Sequence, residues 1–256
     1  MTNRWTERIG SGTPRFGMWL ASGSSYVTEV CAGSGIDWLL LDQEHAPNDL
    51  RTTLEQLQVL AAYPDVDVVV RPPSADPVSI KRLLDVGAQN VIVPMIDDAA
   101  EATAAVGATR YPPDGIRGVG SALARASQWN RISDYLVTAD SSVSLTVQVE
   151  TVAGLEHLGD IADVDGVDAV FIGPADLAAS LGKLGQPEHP DVVGAIERAL
   201  ATIVEHGKSA GVNAFNESVA RRYLRAGASF VLVGADVALL ARGAEDLAAR
   251  YHGKAR

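Results

Sequence analysis

Residues 37–47 read DWLLLDQEHAP, an apolar run that ends abruptly in polar and charged side chains. The run is short and almost continuously apolar, which is typical of a strand covered on both faces. Asp42, Glu44 and His45 stand where further apolar residues would have continued the strand. If other strands of the chain end in the same way, their polar ends share one edge of a parallel sheet.

Eight apolar runs of this kind alternate along the chain with Ala- and Leu-rich segments of helical period. The runs are 15–21, 37–42, 66–71, 91–95, 145–150, 168–173, 209–213 and 230–234. Several of the segments between them open with Asp, Asn or Ser and end near Gly, as helices do. Alternating strands and helices indicate βα units. We predict an α/β fold, a closed (β/α)8 TIM barrel, as one domain over residues 1–256.

The composition is that of an ordinary globular protein. The chain has 256 residues, 47% hydrophobic and 21% charged, with a formal net charge of −11. Its 21 Lys and Arg residues are scattered, which argues against nucleic acid and an anionic membrane surface as partners. No apolar stretch is long enough for a membrane span, and the N-terminal segment lacks an apolar signal region. Cys31 is the only cysteine, so we expect no internal disulfide and a cytoplasmic location.

Polar side chains end four of the predicted strands. They are Asp42 and His45 after the second strand, Arg71 at the third, Gln148 and Glu150 at the fifth, and Asp176 after the sixth. In a (β/α)8 barrel the carboxyl ends of the strands meet at one face, where the active site lies. We therefore predict that these side chains converge.

Glu150 and Asp176 are carboxylates on neighbouring strand ends, with no cysteine beside them. An oxygen-only pair with room for water suits a hard divalent ion such as Mg²⁺ or Mn²⁺. Alternatively, both are loop carboxylates that cap helices, which for Asp176 is equally consistent with the sequence. For Glu150 this alternative is weaker, because the residues around it offer no helix start.

Arg71 and His45 could complete a site for proton abstraction next to a carbonyl. A guanidinium at a strand end can fork onto a carboxylate or an enolate oxygen, or form a structural ion pair with a neighbouring acid. His45 can act as a general base if Asp42 or another carboxylate fixes its tautomer; otherwise it is a solvated loop residue. No lysine ends a predicted strand, which disfavours a Schiff-base mechanism.

Four segments carry a resemblance to a known family. They are residues 17–49 (GMWLASGSSYVTEVCAGSGIDWLLLDQEHAPND), 110–135 (RYPPDGIRGVGSALARASQWNRISDY), 147–151 (VQVET) and 171–182 (FIGPADLAASLG). The chain resembles the HpcH/HpaI aldolases, metal-dependent class II pyruvate aldolases, from about Phe16 to the last helix. The resemblance implies reversible retro-aldol cleavage of 4-hydroxy-2-oxo acids, such as 4-hydroxy-2-oxoheptanedioate, to pyruvate and an aldehyde such as succinic semialdehyde.

The resemblance also implies roles for individual residues. Glu150 and Asp176 would hold a divalent ion (Mg²⁺, Mn²⁺ or Co²⁺), with water filling the remaining positions. Arg71 would bind the pyruvate oxygens and stabilise the enolate. His45, oriented by Asp42, would serve as the acid/base group, directly or through a water that it activates.

Further residues follow from the same resemblance. Gln148 would lie beside the pyruvate pocket, the backbone N–H of Ala175 would help to hold the pyruvate carboxylate, and Asp85 would reach a neighbouring subunit's site. Family members exchange a C-terminal helix and commonly form hexamers, so a homo-oligomer is implied. The other partners would be small molecules, with neither nucleic acid nor membrane among them.

Two departures from the family pattern concern the aldehyde side of the site. Gln43 replaces a glycine next to Glu44 and His45, and Asn213 and Phe215 stand where relatives carry small or aliphatic residues. Both departures put the size and polarity of the aldehyde pocket in doubt. Two other interpretations stay open: an aldolase for sugar acids such as 2-keto-3-deoxyglucarate, and a non-catalytic barrel that binds small oxo acids.

Residues 115–129 (GIRGVGSALARASQW) form a long connection after the fourth predicted strand. Long connections in barrels often bind ligands, and this one carries Arg117 and Arg125. We predict that at least one of these arginines binds the distal carboxylate of a dicarboxylic substrate. The alternative is that both pair with acids in an oligomer interface.

Overall fold

The computed structural model describes residues 3–252 and contains a closed eight-stranded barrel. The strands are β1 (Arg15–Leu20), β2 (Trp38–Asp42), β3 (Asp67–Arg71), β4 (Asn90–Val93), β5 (Ser144–Val149), β6 (Ala169–Ile172), β7 (Ser209–Asn213) and β8 (Ala228–Ala235). They pair in chain order, all parallel, and β8 closes the ring against β1. The predicted barrel is confirmed, and each strand overlaps a predicted run. Residues 1–2 and 253–256 of the predicted domain lie outside the described residues.

Helices connect the strands and surround the barrel. They are α1 (Arg4–Ile9), α2 (Ser25–Ala32), α3 (Leu50–Leu60), α4 (Pro77–Asp85), α5 (Ala99–Thr109), α6 (Tyr135–Ser142), α7 (Val152–Glu156), α8 (Leu158–Ala162), α9 (Pro174–Ser180), α10 (Pro190–Glu205), α11 (Glu217–Arg225) and α12 (Asp236–His252). Asp49, Asp76 and Asp98 cap α3, α4 and α5 by accepting a backbone N–H of the first turn. These caps fix where each helix starts after its strand.

Aromatic side chains fill the N-terminal end of the barrel. Trp5, from α1, packs with ring centroids 5.1 Å from Trp38 and 5.5 Å from Phe230. Gly17 and Gly211 make room for these rings, because a Cβ at Gly17 would overlap Trp38 and one at Gly211 would overlap Phe230. This end of the barrel is therefore packed core.

The inward face of the strands becomes polar at the opposite end of the barrel. Leu40 and Val69 belong to the inner apolar cluster. Side chains alternate along a strand, so Asp42 and Arg71, two residues further on, share that inward face. The fold thus brings the predicted polar ends to one place.

The last helix, α12, carries uncovered apolar side chains. Leu239 is 62% exposed, Leu240 70% and Tyr251 82%. Asp236, at its start, is buried and accepts the backbone N–H groups of Ala21 and Ser22. Within residues 3–252, no helix combines the length and apolarity needed to cross a bilayer.

Two glycines in the strands of the barrel give a test of this packing. A Cβ at Gly211 would overlap Phe230 and lie 2.8 Å from Phe171, whereas one at Gly234 would meet no atom within 4 Å. Gly211→Ala should lower the free energy of unfolding by about 1–3 kcal/mol, since overpacking strains a dense core. Gly234→Ala is the matched strand control and should change it by about 0.5 kcal/mol or less. Urea denaturation measures both, and equal stabilities would contradict this packing.

Candidate active site

Arg71 is the centre of the polar cluster. Its side chain is buried, and Nε donates to Asp42 Oδ1 at 2.8 Å. Nη1 lies 2.9 Å from Glu44 Oε2 and 3.5 Å from Gln148 Oε1. The structural ion pair considered for Arg71 is therefore present, and it orients the guanidinium within the cluster.

Asp42 organises the loop after β2 through the backbone. Its carboxylate accepts the N–H of Glu44 at 3.0 Å and that of His45 at 3.4 Å. The His45 ring is 63% exposed, and its Nε2 lies 3.7 Å from Glu44 Oε2. This differs from the expectation that Asp42 orients the imidazole, because Asp42 holds the backbone of His45 and Glu44 faces the ring.

Gln43 does not line the cluster. Its Nε2 donates to Thr53 Oγ1 on α3 at 2.8 Å, and its backbone N–H donates to the carbonyl of Arg71. The Gln43 side chain thus braces the loop against α3.

Glu44 is a site residue that the sequence reasoning did not single out. Burial raises the pKa of its carboxyl, and the negative charges of Asp42 and Asp176 raise it further, while the positive charges of Arg71 and His45 lower it. Its position in the same polar run as Asp42 was the available signal. The direction of a loop side chain does not follow the two-residue alternation of a strand, so its contact with Arg71 was not predictable.

Glu150 lies deep in the cluster, with 2% of its surface exposed. Its Oε1 accepts the backbone N–H of Met95 at 3.0 Å, and Oε2 accepts Nε2 of Gln148 at 2.6 Å. Burial is the main cause that raises its pKa to about 7, and the charges of Glu44 and Asp176 act in the same direction. The protein groups around the Glu150 carboxylate therefore compensate only poorly for the burial of its negative charge.

Asp176 lies in the first turn of α9, directly after β6. Gly173 is the N-cap of this helix and provides no side chain to cap it, and a Cβ there would overlap Glu150 Oε2. No hydrogen bond to the Asp176 carboxylate is found within residues 3–252, so it does not cap the helix. Ala175, the second helical residue, is exposed, and a backbone N–H at this position has no intrahelical partner.

The charges of the cluster fit a divalent cation. Asp42 and Glu44 pair with the Arg71 guanidinium, and Glu44, Glu150 and Asp176 lie close enough for their negative charges to act on one another. In the described part of the chain, no three or more His, Cys, Asp and Glu side chains are arranged as metal ligands. A cation here would draw on two carboxylates and water, as predicted for Glu150 and Asp176.

Trp19 and Asn213 extend the cluster across the barrel. The guanidinium of Arg71 lies over the Trp19 ring, 4.3 Å from its centroid. The indole Nε1 of Trp19 donates to Asn213 Oδ1 at 3.0 Å. Asn213, noted above as a departure from the family, thus belongs to the site, whereas Phe215 is 54% exposed on the loop after β7.

Arg117 and Arg125 lie elsewhere in this chain. Arg117 is buried, and its Nη2 donates to Asp85 Oδ1 at 3.2 Å and to the Tyr135 hydroxyl at 3.0 Å. Nη1 of Arg125 donates to the Val86 carbonyl at 3.0 Å. Asp85 ends α4, which leads into the N-terminal end of β4. Contrary to the prediction, neither guanidinium reaches the strand-end site of its own chain, and Arg117 pairs with an acid within the chain.

Known proteins share this sequence and architecture. Residues 15–243 match the family model described as HpcH/HpaI aldolase/citrate lyase. A 4-hydroxy-2-oxo-heptane-1,7-dioate aldolase of Salmonella dublin is 55% identical over 251 residues, which cover 98% of this chain and 95% of that protein. A crystal structure of an HpcH/HpaI aldolase/citrate lyase family protein from Burkholderia cenocepacia has a TM-score of 0.93 at 41% identity, covering 98% of this chain and 99% of that one. An HpcH/HpaI aldolase from Desulfitobacterium hafniense has a TM-score of 0.86 at 27% identity, covering 98% of both chains.

Glu150 makes the stability of the protein in EDTA depend on pH. Its pKa is about 7 in the folded protein against an ordinary value of 4.5, so folding favours the protonated carboxyl. This stabilisation is complete below about pH 4.5 and is lost as the pH rises through about 7. Urea denaturation across this range should show a flatter pH slope for Glu150→Gln than for the wild type. Glu55→Gln, on the exposed face of α3, should keep the wild-type slope; identical slopes for all three would contradict the assignment.

Proposed function

The chain belongs to the HpcH/HpaI aldolase/citrate lyase family, and we propose that it is a metal-dependent class II aldolase. The proposed reaction is reversible retro-aldol cleavage of a 4-hydroxy-2-oxo acid to pyruvate and an aldehyde. Similarity to proteins named 4-hydroxy-2-oxo-heptane-1,7-dioate aldolase supports 4-hydroxy-2-oxoheptanedioate as substrate and succinic semialdehyde as the aldehyde. The observation that carries the proposal is the convergence of Arg71, Glu150 and Asp176 at one end of the barrel.

Glu150 and Asp176 are the proposed ligands of a divalent ion (Mg²⁺, Mn²⁺ or Co²⁺), with water completing the set. When bound, such an ion supplies Lewis-acid chemistry at the keto oxygen of pyruvate. The excess of carboxylates over guanidinium groups supports this site. So does the raised pKa of Glu150, because a nearby positive charge favours the ionised carboxylate.

Arg71 is proposed to bind pyruvate and to stabilise the negative charge that develops on the C2 oxygen in the enolate. Asp42 and Glu44 hold the edges of its guanidinium and Trp19 lies against its face, so the donors are oriented in advance. Gln148, within reach of Arg71, is proposed to lie beside the same pocket. The exposed Ala175 N–H would donate to the pyruvate carboxylate.

His45 is the proposed acid/base group, which takes the C3 proton of pyruvate at its ring nitrogen. Its exposed ring can meet a ligand, and its Nε2 lies 3.7 Å from Glu44 Oε2. Asp42 fixes the loop that carries it. Asp85, 32% exposed, is proposed to reach the site of a neighbouring subunit.

The proposal includes a homo-oligomer, a hexamer that exchanges α12 between subunits. The uncovered apolar side chains of α12 support association, as do Leu123, 87% exposed, and Val137, 87% exposed. The proposed partners are thus copies of the same chain and small-molecule substrates. The net charge of −11 offers no support for nucleic acid or an anionic membrane as partner.

Oxaloacetate decarboxylation tests the function, because it needs only the pyruvate-enolate half of the reaction. EDTA should abolish the activity, and Mg²⁺ or Mn²⁺ should restore it. Glu150→Ala and Asp176→Ala each remove one of two anionic ligands, so Mn²⁺ affinity, measured by calorimetry, and turnover should collapse together. Asp160→Ala, at an exposed position on α8, is the control and should keep both.

Full turnover of either ligand variant at ordinary metal concentration would refute the metal site. No activity of the wild type with any divalent ion would favour the non-catalytic oxo-acid-binding barrel. An aldol assay with succinic semialdehyde and tartronate semialdehyde separates the proposed substrate from a sugar acid.

Arg71→Lys keeps the charge but loses the planar fork that contacts both Asp42 and Glu44. The value of kcat/KM for oxaloacetate should fall about 10²- to 10³-fold, as when one oriented donor to an oxyanion is removed. Arg222→Lys, at an exposed pair with Glu197 on the helical surface, should stay close to the wild type. Circular dichroism confirms that both variants are folded, and near-normal turnover of Arg71→Lys would exclude the guanidinium from this role.

A further inference from the structure

The end of β7 directs one polar side chain, that of Asn213, toward the proposed site. Gly211 faces the aromatic interior, so Asn213, two residues further along β7, is on the same inward face. On β8, the inward Leu232 pairs with Asn213, and after a register shift Ala235 pairs with Trp19, so β8 contributes only a methyl group at the level of Trp19. On the other side of β7, β6 is followed by Gly173, beyond the paired residues of these two strands. Among the described residues, Asn213 is thus the polar side chain that β7 directs into the site between Gly173 and Ala235.

The orientation of the Asn213 amide is determined by its partner. An indole N–H only donates, so the amide oxygen must face Trp19 and the amide nitrogen must face away from it. Within residues 3–252 the Nδ2 donors have no acceptor, and the residue is half-buried.

The same indole connects Asn213 to the pyruvate-binding guanidinium. The guanidinium carbon of Arg71 lies over the face of the Trp19 ring, 4.3 Å from its centroid. At the edge of the same ring, the indole Nε1 donates to Asn213 Oδ1 at 3.0 Å. The amide is therefore held one indole ring away from the group that would bind pyruvate. An acceptor aldehyde must approach pyruvate from neighbouring space, and the half-buried Asn213 amide lies next to that space.

We propose that Asn213 determines acceptor specificity by donating a hydrogen bond from Nδ2 to an oxygen substituent of the aldehyde. The chemical class favoured is a hydroxylated aldehyde over an alkyl aldehyde of the same size. An alkyl group would leave the amide donors desolvated and unpaired, which is what allows a polar site to reject an apolar analogue. This inference rests on the proposed aldol function and deepens it; Asn213 takes no part in bond making.

The test uses glycolaldehyde and propanal, in which a hydroxyl replaces a methyl at equal size. The ratio of their kcat/KM values in addition to pyruvate is measured for the wild type, Asn213→Leu and Asn213→Asp. Asn213→Leu removes all polar atoms, whereas Asn213→Asp keeps an acceptor for Trp19 and loses the donors. The preference for glycolaldehyde should fall roughly three- to ten-fold in both variants, the effect of one neutral hydrogen bond.

Oxaloacetate decarboxylation, measured for each variant, distinguishes a failure of the proposed Asn213 role from a failure of the proposed aldolase function. An unchanged ratio in both variants would overturn the role of Asn213 and leave the aldolase function standing. Failure of the wild type to decarboxylate oxaloacetate and to add pyruvate to either aldehyde would overturn the function and this role with it. If Asn213→Leu does not fold, Asn213→Asp decides, because its carboxylate still accepts the Trp19 N–H.

Discussion

The ion pair between Arg71 and Asp42 is the contact on which the site depends. The two residues are register partners on neighbouring strands, and both are buried. Removing one partner from such a pair costs about 3–5 kcal/mol, because the other charge stays buried without compensation. Asp42 also holds the backbone of Glu44 and His45, and Arg71 also contacts Glu44 and Gln148. One pair therefore fixes the loop after β2 and the plane of the guanidinium together.

The barrel separates this charged end from an apolar one. At the N-terminal end, Trp5, Trp38 and Phe230 fill the interior and exclude water. At the carboxyl end the same inward face carries carboxylates, which are stable there only when they are paired, hydrogen-bonded or bound to a cation. Glycines allow close packing at both ends. The absence of a Cβ leaves room for aromatic rings at Gly211 and for the Glu150 carboxylate at Gly173.

The sequence predicted the strands and their polar ends because both are local signals: short apolar runs, followed by charged residues. Convergence then followed from parallel topology. Three features of the structure could not be predicted from local signals in the sequence. Glu44 lies in a loop, where no periodicity sets the direction of a side chain. Trp19 and Asn213 are 194 residues apart, and no pattern in the sequence pairs them. Arg117 and Arg125 lie on a connection whose length does not reveal the end of the barrel against which it packs.

Closure of the ring has a consequence for how the protein is made. The seam between β1 and β8 is held by contacts such as Ala21 N–H to Asp236, which are 215 residues apart. Contacts this distant form late, because a long loop must close before they contribute. A chain still on the ribosome can carry Arg71 and Asp42 yet lack Asn213 and the seam. The site is therefore completed only when synthesis has passed β8.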